Sequence, residues 1–145
     1  MILFSSALEL KLNTINIMNK LIIDAATDKI FLALISSKNI YTCRRDNSKS
    51  NFEKLIILIN EFLEKNQSPL DKVNSIYVNR GPGSFAGIRN SLSIVKGVFL
   101  SKKIDYYCFS FLDFNKTDVN KYEDVPDLCE KFKIKKNLVN PLYLS

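Results

Sequence analysis

The glycines of this chain are confined to one stretch, which places the strongest constraint on its fold. All four fall between Gly81 and Gly97, and "GPGSFAG" holds three of them within seven residues. Glycine is favoured where a backbone turns with positive φ or comes close to another segment. The preceding "VNSIYVN" (73–79) has the composition of a strand, and apolar residues recur at helical spacing afterwards. The pattern predicts a strand, a tight turn and a helix over 85–101 with an apolar stripe of Phe85, Ile88, Leu92, Val95 and Phe99.

The remaining segments place this unit in an α/β lobe. "KLIIDAA" (20–26), "KIFLALISS" (29–37) and "NIYTCRR" (39–45) are β-rich and closely spaced, as in an antiparallel meander. Residues 51–65 return to helical spacing, and "DYYCFSF" (105–111) predicts a fifth strand. The predicted order βββαβαβ defines an α/β fold with a mixed sheet.

The two predicted helices have features that packing against one sheet does not explain. The apolar stripe of the first helix comprises Phe52, Leu55, Ile56, Ile59, Phe62 and Leu63. Leu58 widens this stripe and Ile57 lies off it, so the helix has more apolar surface than one sheet face covers. The second helix has a line of short side chains that would let another helix or a sheet approach closely: Ala86, Asn90, Ser93 and Gly97. Alternatively, the lobe's own core takes up either helix completely.

The composition argues against catalysis. The 145-residue chain contains no histidine, and its three cysteines lie far apart without Cys-x-x-Cys spacing. We therefore expect no metal site, no disulfide framework and no activated serine or cysteine nucleophile. Free cysteines favour a reducing, cytoplasmic setting, and no apolar run approaches the roughly 20 residues of a membrane span. The net charge of +6 is compatible with an RNA-containing assembly and equally with an ordinary lysine-rich surface.

The chain is predicted to contain one lobe between two weaker segments. Residues 1–17 lack the basic start of a signal peptide, and Met18 directly precedes the first strand, which predicts a non-native or disordered extension. The lobe spans residues 18–112. The pattern weakens over 113–145, which is polar, interrupted by Pro126 and too short for a second lobe of similar size.

The glycine turn has two physical interpretations. A strand, a turn and a helix N-terminus form a potential anion site, so Gly81, Pro82, Gly83 and Ser84 could contact a nucleotide phosphate. Alternatively, the turn only seats the helix against the sheet. No lysine follows Gly87, which excludes a Walker loop, and the dinucleotide fingerprint lacks an acidic residue at the end of the next strand.

Several motifs resemble one known family. "NRGPGSFAGIR" (79–89) resembles the "GRGPGSFTGIR" signature of the TsaB (YeaZ) family. "LIIDAATDKIFLALI" is similar to the opening of that family, and "PLYLS" is similar to its terminal "PxYLR". The resemblance covers residues 18–112 and the last few positions. It departs from the family at Ala86, which replaces a threonine, at the missing histidine ahead of the long helix, and in a second lobe reduced to 113–138.

The resemblance implies an actin/Hsp70-like (ribonuclease-H-like) lobe and a role in making threonylcarbamoyladenosine in ANN-decoding tRNAs. It implies a non-catalytic scaffold that pairs with the catalytic paralogue TsaD, is joined by the ATPase TsaE and meets tRNA indirectly. A homodimer, and an ATP or ADP at a subunit boundary, are further implications. In the family, the two lobe helices form a four-helix bundle with a partner. The implied interface comprises Phe52, Leu55, Ile57, Leu58, Phe62, Ala86, Asn90, Ser93 and Gly97.

Two other functions stay open at this point. Asp24 stands where kinases of this superfamily hold an acid near the phosphates, so the chain could be a small nucleotide-dependent enzyme that uses the Gly81–Gly87 loop. The next residues, Ala25, Ala26 and Thr27, lack the glycine that phosphate approach requires, and we expect Asp24 to cap a turn instead. The third function is a free-standing RNA-binding module. Its candidate phosphate contacts, which equally suit a solvated surface, are Arg44, Arg45, Lys102 and Lys103.

Overall fold

The computed structural model describes residues 18–37, 39–114 and 121–143, with residue 52 described by its backbone alone. The prediction for residues 1–17 lies outside this part of the chain. The strands are β1 (Lys20–Asp24), β2 (Lys29–Ile35), β3 (Ile40–Asp46), β4 (Ser75–Asn79) and β5 (Asp105–Phe109). In the described residues they form one sheet in the order β3-β2-β1-β4-β5. The predicted mixed sheet and α/β fold class are confirmed.

The centre of the sheet is β1, which pairs antiparallel with β2 and parallel with β4. β3 extends the antiparallel side and β5 the parallel side, so the predicted meander of the first three strands is confirmed. Side chains alternate between the two faces of a strand. Leu21 and Ile23 accordingly join a hydrophobic cluster on one face, whereas Ile22 joins a cluster on the other. Both faces of the sheet are therefore covered.

Helices α1 (Lys49–Glu53), α2 (Leu55–Lys65) and α3 (Phe85–Lys102) cover the first face. Residues three and four apart share one side of a helix. The buried residues at this spacing are Leu55, Ile59, Phe62 and Leu63 in α2, and Ile88, Leu92, Val95 and Val98 in α3. They pack with the apolar side chains of the strands into one core.

The second face is covered by residues that follow β5. They form a 3-10 turn (Phe111–Asp113), a second such turn (Tyr122–Asp124) and α4 (Val125–Lys131). The buried side chains of these elements and of the sheet make the second cluster: Ile22, Phe31, Ala33, Tyr77, Phe109, Phe114, Val125, Leu128 and Cys129. Residues 121–143, called the C-terminal segment below, thus supply a hydrophobic layer to the lobe.

Two element boundaries differ from the prediction. The helix expected over 51–65 is two helices, because Lys54 takes φ −101° and ψ 12° and interrupts the helical backbone. The strand expected over 105–111 ends at Phe109. The Ser110 side chain accepts a hydrogen bond from Leu112 N (3.2 Å) and begins a 3-10 turn there.

Two residues expected on core stripes are exposed instead. Ile56 is 37% exposed, because the buried side of α2 follows Leu55 and Ile59 and leaves Ile56 at its margin. Phe85 is 56% exposed. It begins α3, and its ring packs against Tyr143 of the C-terminal segment with 4.7 Å between ring centroids.

Candidate partner-binding site

The glycine turn between β4 and α3 packs against the protein itself. Gly81 has φ +112°, and a Cβ added there would lie 2.1 Å from the carbonyl oxygen of Leu142. A Cβ on Gly83 would lie 2.0 Å from the carbonyl oxygen of Ala26. Both positions therefore require glycine because backbone of the same chain fills the neighbouring space.

The polar groups of this turn are also engaged inside the lobe. Gly81 N donates to Asn79 Oδ1 (2.9 Å), and Ser84 N donates to the carbonyl oxygen of Ala26 (2.8 Å). Ser84 Oγ accepts from Gly87 N (3.2 Å) and thereby caps α3. These contacts favour the interpretation of the turn as a seat that holds α3 against the sheet.

Arg80, directly before the turn, is paired with a carboxylate. Its guanidinium donates to both carboxylate oxygens of Asp113, with Nη2 to Oδ1 at 2.7 Å and Nε to Oδ2 at 3.2 Å. Nη1 also donates to the carbonyl oxygen of Asn140 at 3.3 Å. Such forked pairs are geometrically specific. The cation that precedes the turn is therefore committed to the residues that follow β5.

Asp24, 0% exposed at the end of β1, is enclosed by three donors. Oδ1 accepts from Ala26 N (3.0 Å), and this contact confirms that Asp24 caps a turn. Oδ2 accepts from Asn79 Nδ2 (3.0 Å) and from the Tyr122 hydroxyl (2.6 Å). Burial, together with the negative charge of Asp24, raises the pKa of Tyr122, so the phenol remains protonated and donates.

Tyr122 is a site residue that the sequence analysis did not find. Its ring stacks on Phe31 with 4.1 Å between centroids and meets Phe111 edge-on at 5.5 Å. An isolated tyrosine in a polar stretch belongs to no periodic pattern, and it is 98 positions from Asp24 in the sequence. The only signal was chemical, because a buried Asp24 needs donors from somewhere in the chain.

We expect Tyr122→Phe to lower the free energy of unfolding by about 1.5–2 kcal/mol, because the buried carboxylate of Asp24 loses one donor. Tyr106→Phe is the matched control. Tyr106 is also buried, but its hydroxyl has no hydrogen-bond partner among the described residues. That change should leave stability unchanged or raise it. Urea unfolding followed by circular dichroism measures both variants, and equal losses would contradict the contribution of the Asp24 hydrogen bond.

The two buried thiols, Cys108 in the first core cluster and Cys129 in the second, are not activated. Burial raises the pKa of Cys108 to about 11 and that of Cys129 to about 12, so both stay protonated at neutral pH. In the described ranges, no group of three or more histidine, cysteine or acidic side chains has metal-binding geometry. Among the helices in those ranges, none combines the length and apolar character needed to cross a bilayer.

The outer side of α3 presents short side chains to solvent. Ala86, Ser93 and Gly97 are exposed, and Asn90 is half-buried beside them. A Cβ on Gly97 would meet no atom within 4 Å. We call Ala86, Ser93 and Gly97 the small-residue stripe. It is open surface in this lobe, whereas Gly81 and Gly83 are packed against backbone of the same chain.

Grooves run beside the small-residue stripe. One of about 390 Å³ lies between α1 and the start of α3, with Lys49 and Ala86 on opposite walls. Another of about 360 Å³ lies between α3 and the C-terminal segment, with Ser93 and Tyr143 in its lining. Large apolar side chains are exposed at both ends of α3, namely Phe85 (56%) and Leu100 (59%).

Of the first-helix residues that were predicted to lie at the partner interface, some are exposed and others are buried. Ile57 is 51% exposed and is open to contact. Leu58 is half-buried and packs against the core. Leu55 and Phe62 are only 0% and 6% exposed, so they belong to the lobe's own core and are not accessible to a partner. The side chain of Phe52 lies outside the described part of the chain.

The fold is similar to solved structures from Pseudomonas aeruginosa. YeaZ matches with a TM-score of 0.59 and 22% identity, over 64% of this chain and 44% of that chain. An uncharacterized protein with similarity to peptidase YeaZ matches with a TM-score of 0.60 and 22% identity, over 64% and 43%. These structures therefore share the fold of this chain, an α/β lobe with a mixed sheet covered on both faces.

Comparison of the amino-acid sequence with curated proteins finds relatives of one kind. No protein-family model matches the chain. It is 32% identical over 92 residues to the tRNA threonylcarbamoyladenosine biosynthesis protein TsaB of Buchnera aphidicola subsp. Schizaphis graminum, covering 63% of this chain and 44% of that protein. It is 27% identical over 83 residues to the TsaB protein of Buchnera aphidicola subsp. Baizongia pistaciae (57% and 38%). The Escherichia coli protein of that name is 25% identical over 87 residues (60% and 38%).

These findings confirm the resemblance to the TsaB (YeaZ) family, and the matched part of this chain is related to proteins of that family. The matches span less than half the length of those curated relatives.

Proposed function

We propose that this chain is a non-catalytic partner subunit in the synthesis of threonylcarbamoyladenosine on tRNA. The curated proteins that it resembles carry the name of that biosynthesis. In this proposal the chain binds a catalytic paralogue of the TsaD type, an ATPase of the TsaE type joins the pair, and tRNA is met through the complex. The observation that carries the proposal is the open small-residue stripe on α3.

This stripe has the properties of a helix-packing surface. Packed helices lie about 8–10 Å apart, and the side chains at the contact set the distance. Short side chains at Ala86, Ser93 and Gly97 would allow a close approach, and the exposed Phe85 and Leu100 would add apolar area at its ends. Exposed large apolar residues rimmed by polar ones are typical of interaction sites.

The proposal assigns no chemistry to this lobe. Asp24 has three internal donors, and Gly81 and Gly83 face carbonyl oxygens of the same chain. Asp24 and the glycine turn are thus engaged by groups of the lobe itself, which argues against the nucleotide-dependent enzyme. Any ATP or ADP near the turn would therefore lie at the boundary with another subunit.

Co-expression with the TsaD-type protein of the same genome tests the proposal. We expect a one-to-one complex by size-exclusion chromatography with light scattering, and a weak homodimer of the chain alone through the same stripe. Calorimetry should detect no ATP binding by the isolated chain. Absence of the complex would contradict the proposal. Saturable ATP binding by the chain alone would then favour the nucleotide-dependent enzyme, and tight tRNA binding by the chain alone would favour the RNA-binding module.

A further inference from the structure

The two edges of the sheet are unlike each other. The β5 edge is covered by the C-terminal segment, where Asn137 N donates to the Tyr106 carbonyl oxygen (2.7 Å) and its Oδ1 accepts from Tyr106 N (2.9 Å). A bridge between Tyr107 and Lys136 continues this cover. β3 pairs with β2 along seven residues, and among the described residues no strand pairs with its outer side. An unpaired edge of this kind offers backbone donors and acceptors to another extended chain.

A groove of about 580 Å³ lies beside this open edge, between β3 and α2. Its apolar lining includes Tyr41 and Cys43 of β3, which face the same side of the sheet, and Leu58 and Phe62 of α2. Tyr41, Cys43 and Leu58 pack against the first core while remaining partly accessible. A strand added to β3 would direct alternate side chains into this groove.

The rim of the groove is basic. Arg45 and Lys65 line it together with a single carboxylate, that of Glu61. Arg44, also at this edge, places its guanidinium over the Phe31 ring on the other face of the sheet, 4.5 Å from the ring centroid. In the described ranges none of these three cations forms an ion pair, and all three are exposed. Asp46, the other acid at this edge, is already paired with Lys29. A bound chain would therefore meet uncompensated positive charge.

We infer that the β3 edge binds an extended segment with acidic side chains from a partner protein, by strand addition. This site is separate from the small-residue stripe and goes beyond the proposed function. An apolar groove beside unpaired backbone favours a peptide over RNA. A second copy of β3 is disfavoured because pairing two copies would bring four arginines, Arg44 and Arg45 from each, into one two-stranded ribbon.

A fluorescein-labelled nine-residue peptide of alternating glutamate and valine is the probe. We expect saturable binding by fluorescence anisotropy that weakens about tenfold when glutamine replaces glutamate. Two further peptides carry N-methyl groups on the odd-numbered or on the even-numbered residues. One of the two should bind at least about tenfold more weakly, because strand addition needs the backbone N–H donors on one side of the peptide. No saturable binding, or unchanged binding of both methylated peptides, would overturn the inference.

Arg45→Glu is the protein variant, and Lys135→Glu is its control with the same charge change on the exposed C-terminal segment. Arg45→Glu should weaken the probe about tenfold, and Lys135→Glu should change it less than about twofold. Equal effects of the two variants would overturn the inference. If total tRNA displaces the probe from the wild-type chain but not from Arg45→Glu, and the methylated peptides bind as well as the unmethylated one, the edge binds RNA. If the chain forms a dimer that Arg45→Glu abolishes, the edge binds a second copy of the chain.

Discussion

Gly83→Ala is expected to lower the free energy of unfolding by about 3 kcal/mol, whereas Gly97→Ala should raise it by about 0.5–1 kcal/mol. The two variants add the same methyl group to the same chain. At Gly83 the new Cβ would lie 2.0 Å from the carbonyl oxygen of Ala26, and at Gly97 it would meet no atom within 4 Å. The difference measures whether the glycine turn is filled by the lobe itself.

The cost at Gly83 is large because backbone faces backbone. The carbonyl oxygen of Ala26 also accepts the hydrogen bond from Ser84 N at 2.8 Å. Relief of the clash would separate the turn from the β1–β2 connection and leave that donor unpaired. Gly97 lies within α3 and is exposed, so alanine removes only the conformational freedom of the unfolded glycine.

Thermal unfolding by circular dichroism compares these two variants with the wild-type chain. The melting temperature should fall by about 10 °C for Gly83→Ala and rise slightly for Gly97→Ala. A stable Gly83→Ala variant would mean that the turn can open, and the Gly81–Gly87 loop would again be a candidate phosphate site.

Most of the fold could be predicted from the sequence because strands and helices are indicated by short stretches of the chain. β-rich composition and short polar connections located the five strands of the described sheet, and helical spacing located most of the residues of α2 and α3 that face the sheet. The order of the sheet follows from the short β1–β2–β3 connections and the two helical crossovers. Lys54 interrupts the first helix without any proline or glycine to announce it, so the break was not predicted.

The candidate site was only partly predictable because its contacts are long-range. The sequence indicated that Gly81 meets something closely, but not that this partner is the backbone of Leu142 near the other end of the chain. The family resemblance placed Leu55 and Phe62 at an interface, whereas both are buried in the lobe's own core. Helical spacing put both residues on one apolar stripe but does not reveal how much of that stripe the sheet and a neighbouring helix cover. The sequence predicted that Gly97 allows close approach by a neighbouring element, but did not distinguish a partner helix from the lobe's own sheet; in the structure no atom lies within 4 Å of a Cβ at Gly97.

Gly97→Leu is expected to abolish the complex with a TsaD-type subunit while the lobe remains folded. Open space surrounds Gly97, so a leucine should be accommodated without strain in the isolated chain. In the complex it would hold two helices apart and separate the short side chains that otherwise meet. We expect affinity to fall at least about 100-fold, which corresponds to about 2.8 kcal/mol.

Ile57→Asp should act in the same direction from α2, because an unpaired carboxylate at an apolar contact is costly. Ile57 is 51% exposed, so its replacement should spare folding. Leu58→Asp is expected to destabilise the lobe instead, since Leu58 packs against the core. Lys135→Glu, on the C-terminal segment, controls for a change of surface charge.

Isothermal titration of the TsaD-type subunit with wild-type, Gly97→Ala and Gly97→Leu chains tests the docking surface most directly, with circular dichroism confirming that each chain is folded. We expect tight binding by the wild-type chain, weaker binding by Gly97→Ala and none by Gly97→Leu. Undiminished binding by a folded Gly97→Leu chain would contradict the assignment of the small-residue stripe as the partner-binding surface.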